Sequence, residues 1–333
     1  MNAPWQGPNT VFSRQERHPS RMNLRFRAVR SLAVVVCLSA TGAPLSSQTD
    51  SKAIRNDSDT GLIIRAETRL VVLHTTVLDR DNRLITDLKE DSFRVFEEDV
   101  PQRLRIFRRE DVPVSLGILV DNSGSMRDKR RQVNASALDF VKASNPQDEV
   151  FIVNFNDEAF LDTPFTSDLP RLQDGLQRID SRGGTALYDS VSMSLDYLEQ
   201  EAERDKQVLL IVTDGADNAS RTTLERLVRR LQETETVIYA VGLMSEEDRR
   251  EAKRANHAIR HIVRATGGAA YFPASVDEVH AITQQVARDI RSQYILAYTP
   301  QTSTQPGFRR VRVELTGKAK RYKVRHRPGY YSQ

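Results

Sequence analysis

Asp121, Ser123 and Ser125 place one carboxylate and two hydroxyls at alternate positions, within Asp121-Asn122-Ser123-Gly124-Ser125-Met126. All three are hard oxygen donors, suited to Mg2+, Mn2+ or Ca2+ and poorly matched to softer metals. Alone the pattern is weak, because Asp and Ser are common residues. Two further oxygen-bearing loops follow in chain order. Gly183-Gly184-Thr185 precedes an expected helix, and Thr213-Asp214-Gly215 follows the apolar run Val208–Val212.

The elements around these loops can bring them together. Val114–Val120 is a short apolar run that reads as a strand buried on both faces, as in a parallel sheet. From Pro113 onward, strands and helices alternate. The pattern predicts strands at 150–155, 159–162, 207–212, 237–241 and 270–272, and helices at 130–143, 168–178, 187–202, 222–233, 246–265 and 276–291. Helices of this length between strands imply right-handed crossovers and an α/β fold, a doubly wound and mostly parallel sheet. In such a sheet the strand ends converge at the carboxyl edge, where ligands bind.

With the loops in this order, the sequence resembles a von Willebrand factor type A domain over roughly residues 112–292. By that resemblance, Asp121, Ser123 and Ser125 match the first loop of its metal-ion-dependent adhesion site, Thr185 the second and Asp214 the third. The resemblance implies Mg2+ or Mn2+, with Ca2+ in the same donor class, and an open coordination position completed by an Asp or Glu of a protein partner. Leu78-Asp79-Arg80 through Val95-Phe96-Glu97, with Arg327-Pro328-Gly329-Tyr330-Tyr331, further resembles an A-domain-related family abundant in Acidobacteria. The expected function is cation-dependent protein–protein binding, in adhesion or envelope assembly. A scaffold whose metal only stabilises the fold is the non-binding alternative.

The competing class is a Mg2+-dependent hydrolase, and the sequence offers it little. There is no Walker-type Gly-rich Lys loop and no Gly-x-Ser-x-Gly elbow. His257 and His261 stand four apart on an expected helix, but position 258 is Ala where a zincin motif needs Glu. Asn56, Asn134 and Asn218 each open a glycosylation-type triplet, a short motif that carries little weight here. The expectation is therefore no enzyme.

Charge and cysteine usage narrow the setting. The formal net charge is +4, yet residues 1–47 hold six Arg against one acid, leaving 43 basic and 44 acidic residues in the remainder. The basic excess thus belongs to the leader and is no argument for nucleic acid. Arg25, Arg27 and Arg30 precede the apolar stretch Leu32–Leu38 and then small residues, so 1–47 reads as a signal peptide with its effective start at Met22. The apolar part is too short for a stable span. These features predict an exported chain, periplasmic, outer-envelope-associated or secreted. Cys37, the sole cysteine, lies in this segment, so the mature chain has no thiol for a disulfide or a zinc–thiolate site.

Residues 48–61 read as a flexible leader. Residues 62–110 form a β-rich module, with strands expected at 70–78, 93–96 and 103–107 and a capped helical turn at 86–91. Residues 293–333 return to β character, at 294–299, 308–315 and 322–326. Segment 305–333 carries nine Lys/Arg and one acid, read as solvated strand faces that discourage edge-to-edge pairing. Neither flank has enough strands for a core of its own, which predicts that the two form one sheet or sandwich.

Overall fold

In this computed structural model the described residues are 70–109, 111–177, 181–244, 249–300 and 306–332. The expected signal segment, the leader and residues 62–69 lie outside them.

The chain opens with four short strands: β1 (Val71–Leu78), β2 (Phe93–Glu97), β3 (Val100–Gln102) and β4 (Leu104–Arg108). The α/β region follows as β5 (Val114–Asp121), α1 (Arg130–Lys142), β6 (Glu149–Phe155), β7 (Ala159–Thr166), α2 (Leu169–Gln177) and α3 (Leu187–Glu201). It continues with β8 (Lys206–Thr213), α4 (Leu224–Glu233), β9 (Val237–Gly242), α5 (Arg249–Thr266), β10 (Ala270–Tyr271) and α6 (Val279–Ser292). The closing strands are β11 (Tyr294–Tyr298), β12 (Gly307–Leu315), β13 (Lys323–Arg325) and β14 (Gly329–Ser332).

The central sheet has six strands in the order β10-β9-β8-β5-β6-β7, parallel except for β7. Every residue of β5 is buried, as expected of a strand with neighbours on both sides and helices on both faces. Its side chains divide with the two-residue period of a strand. Leu116, Ile118 and Val120 join Phe140 of α1, Leu176 of α2 and Val286 of α6. Leu119 joins Val191 of α3, Leu231 of α4 and Ile262 of α5 on the other face. The chain leaves β5 toward β6 and later returns to its other side as β8. The carboxyl end of β5 is therefore the switch point of the sheet, where a crevice opens.

The flanking strands build two four-stranded sheets, ordered β13-β1-β11-β4 and β14-β12-β2-β3. Each sheet draws strands from both ends of the chain, for example β1 against β11 and β2 against β12. They share one apolar core that includes Leu73, Val77, Phe93, Val95, Tyr294, Leu296 and Val313. Glu97 is buried in it and accepts hydrogen bonds from the Tyr298 and Tyr330 hydroxyls at 2.7 and 2.9 Å.

Local departures from the sequence reading have physical reasons. The helical turn expected at 86–91 forms later, as a single 3-10 turn at Glu90–Ser92 with no side-chain cap. Strand β7 is longer than expected, and its Pro164 is tolerated because β7 is the edge of the sheet. Strands β3 and β14 were not expected at all.

Candidate metal centre

The loop after β5 is held by its own side chains and by a buried anchor. Asp121 is fully buried, and its Oδ1 accepts the Ser123 backbone N–H at 2.8 Å. Its Oδ2 accepts the Thr213 hydroxyl at 2.6 Å, tying the end of β5 to the end of β8. Residues Gly124–Met126 form a 3-10 turn whose Met126 is sunk completely in the core. That anchor leaves Ser125 at the surface, 3.1 Å in Oγ–Oγ distance from the buried Ser123.

The other two loops close on the same place. Ser125 donates its hydroxyl to Asp214 Oδ1 at 2.7 Å. The Gly124 N–H donates to the Gly183 carbonyl at 3.4 Å. Gly183 has φ +73°, a backbone conformation that favours glycine, and a Cβ there would displace the Asp157 carboxylate, whose oxygen would stand 2.1 Å away. The Gly184 N–H donates to Asp157 Oδ1 at 2.7 Å, and the Thr185 N–H to Asn218 Oδ1 at 2.8 Å. Thr185 Oγ1 and the Gly215 backbone are neighbours, since a Cβ built on Gly215 would lie 3.4 Å from that hydroxyl. The five residues predicted from sequence are thus gathered at the carboxyl edge of β5 and β8.

The electrostatics are unequal across the site. Burial pushes the Asp121 carboxyl up to about 6, against the pull of hydrogen bonds from Thr213 and Ser123, and the neighbouring Asp214 charge adds to the rise. Its hydrogen-bond donors are neutral, though the charge of the buried Arg130 reaches it. Asp214 instead meets a cation: Lys129 Nζ lies 2.5 Å from Asp214 Oδ2 and 3.4 Å from the Leu243 carbonyl. Beneath them Arg130 is buried, donating to Asn154 Oδ1 at 2.8 Å and the Leu176 carbonyl at 3.3 Å. Burial lowers its pKa to about 10.

Two carboxylates and three hydroxyls on converging loops fit a hard divalent cation, and a desolvated carboxylate whose hydrogen-bond donors are neutral is a place for one. Among the described residues no group of three or more His, Cys, Asp and Glu assembles, so the candidate site depends on its hydroxyls beside two acids.

Sequence reasoning does not show the supporting residues Lys129 and Asp157, nor the supporting roles of Thr213 and Asn218. Thr213 could have been read from its place beside Asp214 at the end of a buried strand. Asn218 shows in the sequence only as the start of a glycosylation-type triplet, whereas its side chain orders the Thr185 loop. Asn134 donates to the Leu176 carbonyl at 2.5 Å, so it too has a structural role, while Asn56 lies outside the described residues. Asp217 and Asp189 serve as loop pins. Asp217 accepts from the Tyr188 N–H and the Ser220 hydroxyl, and Asp189 from the Arg221 and Thr222 N–H groups.

A doubly wound sheet with an oxygen-donor site at its switch point defines the class of domain. Residues 116–216 match the profile of the von Willebrand factor type A domain, and the chain contains such a domain. No curated protein matches the chain. Among solved structures, proximal thread matrix protein 1 from the mussel byssus, in a form with a zinc-occupied MIDAS motif, is 16% identical with TM-score 0.46 over 58% of this chain and 49% of that one. This chain thus spans about half the length of the mussel protein. The von Willebrand factor domain of the type V pili tip protein Mfa5 from Porphyromonas gingivalis is 12% identical with TM-score 0.44, over 54% and 95% of the two chains. A von Willebrand factor type A protein from Catenulispora acidiphila is 11% identical with TM-score 0.46, over 80% and 74%. Among the described residues no helix is long and apolar enough to cross a membrane.

Proposed function

We propose that this chain binds a divalent cation, Mg2+ or Mn2+, through Asp121, Ser123, Ser125, Thr185 and Asp214, and uses it to capture an Asp or Glu carboxylate of a protein partner. The observation that carries the reading is the convergence of these five residues at one strand edge, with Ser125 at the surface and Asp121 buried beneath it. A bound cation would supply Lewis acidity at its open face, because three of the five donors are neutral hydroxyls. The setting we propose is outside the cytoplasm, in adhesion or assembly of an envelope complex, with no catalytic step.

Calorimetric titration of Mg2+ and Mn2+ into the wild type and Asp121→Ala tests the site. Heat in the wild type that disappears in the variant supports the reading, and an absence of heat in the wild type removes it. Capture of partners from envelope extract, with and without EDTA, then separates binding from a purely stabilising metal.

A further inference from the structure

Helix α5 differs from the other helices in its solvent face. From 249 to 264 all eight exposed positions are Arg, Lys or His, with Lys253, Arg254, Arg260 and Arg264 among them. This runs against the local balance, since residues 112–292 hold 29 acids and 22 Lys/Arg. Like charges at i and i+4 weaken a helix, and α5 carries Arg249/Lys253, Arg250/Arg254 and Arg260/Arg264. Such a face is poorly explained as a device for stability.

Some basic residues elsewhere have partners, while others, such as Arg103, Arg105, Lys318 and Lys320, are scattered singly over the β-sheet region. Arg229 pairs with Glu233 and Arg230 with Asp196 on α4 and α3. In the basic C-terminal segment, Arg310 and Arg312 pair with Asp99 and Arg325 with Asp289. Arg327 donates to the Gln232 and Thr234 carbonyls. By contrast Lys253, Arg254 and Arg264 make no ion pair among the described residues, and Arg260 lies over the Phe272 ring at 4.6 Å.

The face also begins at the metal loops. Glu251, in the first turn of α5, has Oε1 3.6 Å from where a Cβ on Gly215 would stand. Gly215 follows Asp214 directly. From there the helix carries its cations away over about 23 Å, at 1.5 Å per residue.

We infer that the exposed α5 face is the second half of the binding surface, reading further carboxylates of the same acidic protein segment whose Asp or Glu approaches the metal. This rests on the metal-site reading above. Arg predominates on the face, and its planar fork matches carboxylates in two-bonded geometry. The exposed positions include no Leu, Phe or Trp to enter a bilayer, so an acidic protein fits better than a lipid surface. Metal coordination would then fix one carboxylate, and α5 would set which flanking sequence is accepted.

The test uses the full chain and a fluorescein-labelled, Glu-rich synthetic peptide, read by anisotropy in Mn2+ and in EDTA. The variant K253E/R254E/R260E/R264E removes the face. R103E/R105E/K318E/K320E changes net charge equally on the β-sheet region, and circular dichroism checks that both fold. The α5 variant is expected to bind the peptide about tenfold or more weakly with unchanged Mn2+ heat, and the control to stay within about twofold of wild type. Equal loss in both variants, wild-type affinity in the α5 variant, no peptide binding by the wild type in Mn2+, or capture by phosphatidylglycerol vesicles instead of peptide each overturns the inference. Failure of the underlying reading looks different: the wild type gives no Mn2+ heat, and EDTA leaves peptide binding unchanged.

Discussion

Two buried carboxylates, Asp121 and Asp289, meet opposite fates. Asp289, on α6, accepts the Thr76 hydroxyl of β1 at 2.9 Å and contacts the Arg325 guanidinium of β13. Burial works against the Arg325 charge, yet Asp289 and the nearby Tyr239 hold its pKa above the ordinary value. Lys206 lies close by, donating to the Ile290 carbonyl, and burial brings its pKa down to about 8. The Asp289 cluster is therefore closed: its negative charge is answered by side chains, and it joins α6 to two strands of the flanking sheets. Asp121 takes its hydrogen bonds from neutral donors, and the charge of the buried Arg130 reaches it without a bond. One carboxylate is bonded to an internal guanidinium; the other has no bonded cation, as the proposed cation site requires.

The largest expected effect comes from opening the closed site. Arg325→Ala removes the guanidinium bonded to buried Asp289 and leaves only Thr76 and the nearby Lys206, at a cost of up to about 3–5 kcal/mol for a broken buried pair. Urea denaturation of the two proteins measures this. A loss below about 1 kcal/mol would mean that Lys206 or water already serves Asp289, and the contrast with Asp121 would disappear.

Next is the open site. Without metal, Asp121→Asn removes a desolvated charge while keeping an oxygen for the Ser123 N–H, so its stability at pH 7 should equal or exceed wild type. With Mg2+ at a hundred times its dissociation constant, the wild type should gain about 2.7 kcal/mol and the variant nothing. Thermal melts in EDTA and in Mg2+ read both effects. A variant that melts well below wild type in EDTA would show that Asp121 is structural like Asp289.

A third, smaller effect probes how fully the closed region is supplied with positive charge. His74 of β1 is fully enclosed, and its pKa falls to about 3 through burial first and then the charges of Lys206 and Arg327. Between pH 3 and 6.5 the unfolded chain therefore binds more protons at this residue than the folded one. Stability rises with pH across that window, and is lost as pH falls below 6.5. From pH 7 to pH 5 the loss from this group is about 2 kcal/mol. His74→Leu should flatten that slope in denaturation curves taken at both values, and an unchanged slope would assign the acid sensitivity elsewhere.

The open site was far more legible in the sequence than the closed one. The mostly apolar run Val114–Val120 of β5 ends at Asp121, and Asp214 follows a second such run, so strand end and candidate ligand coincide in both places. The closed site joins Thr76, Asp289 and Arg325, which lie on three elements with no local pattern between them. Likewise β3 and β14, of three and four residues, are too short to show a period. The turn into β3 is made by Glu98 and Asp99, both at positive φ (47° and 66°), where Asn-Gly would have been recognisable. Sequence patterns expose contacts within an element and strand ends on one edge; they do not expose pairings that depend on how separate elements dock.

Lys129 tests the comparison most finely, because it is the one place where the open site begins to resemble the closed one. Its ammonium lies 2.5 Å from Asp214 Oδ2, while Asp214 Oδ1 receives the Ser125 hydroxyl at 2.7 Å. The carboxylate is thus shared between an internal cation and the metal loop. The Lys129 side chain is 25% exposed and that of Asp214 is fully buried, so the pair is only partly screened by water. A unit charge opposing a divalent ion a few ångströms away is worth on the order of 1.4 kcal/mol even at near-aqueous dielectric, or about tenfold in affinity. Lys129→Met should therefore bind Mg2+ about tenfold more tightly by calorimetry, yet melt lower in EDTA because Asp214 has lost its counterion. The opposed directions of the two measurements are the signature of a lysine that competes with the metal. If Lys129→Met instead weakens Mg2+ binding, the ammonium serves to orient Asp214, and both carboxylate sites are built on the same closed plan.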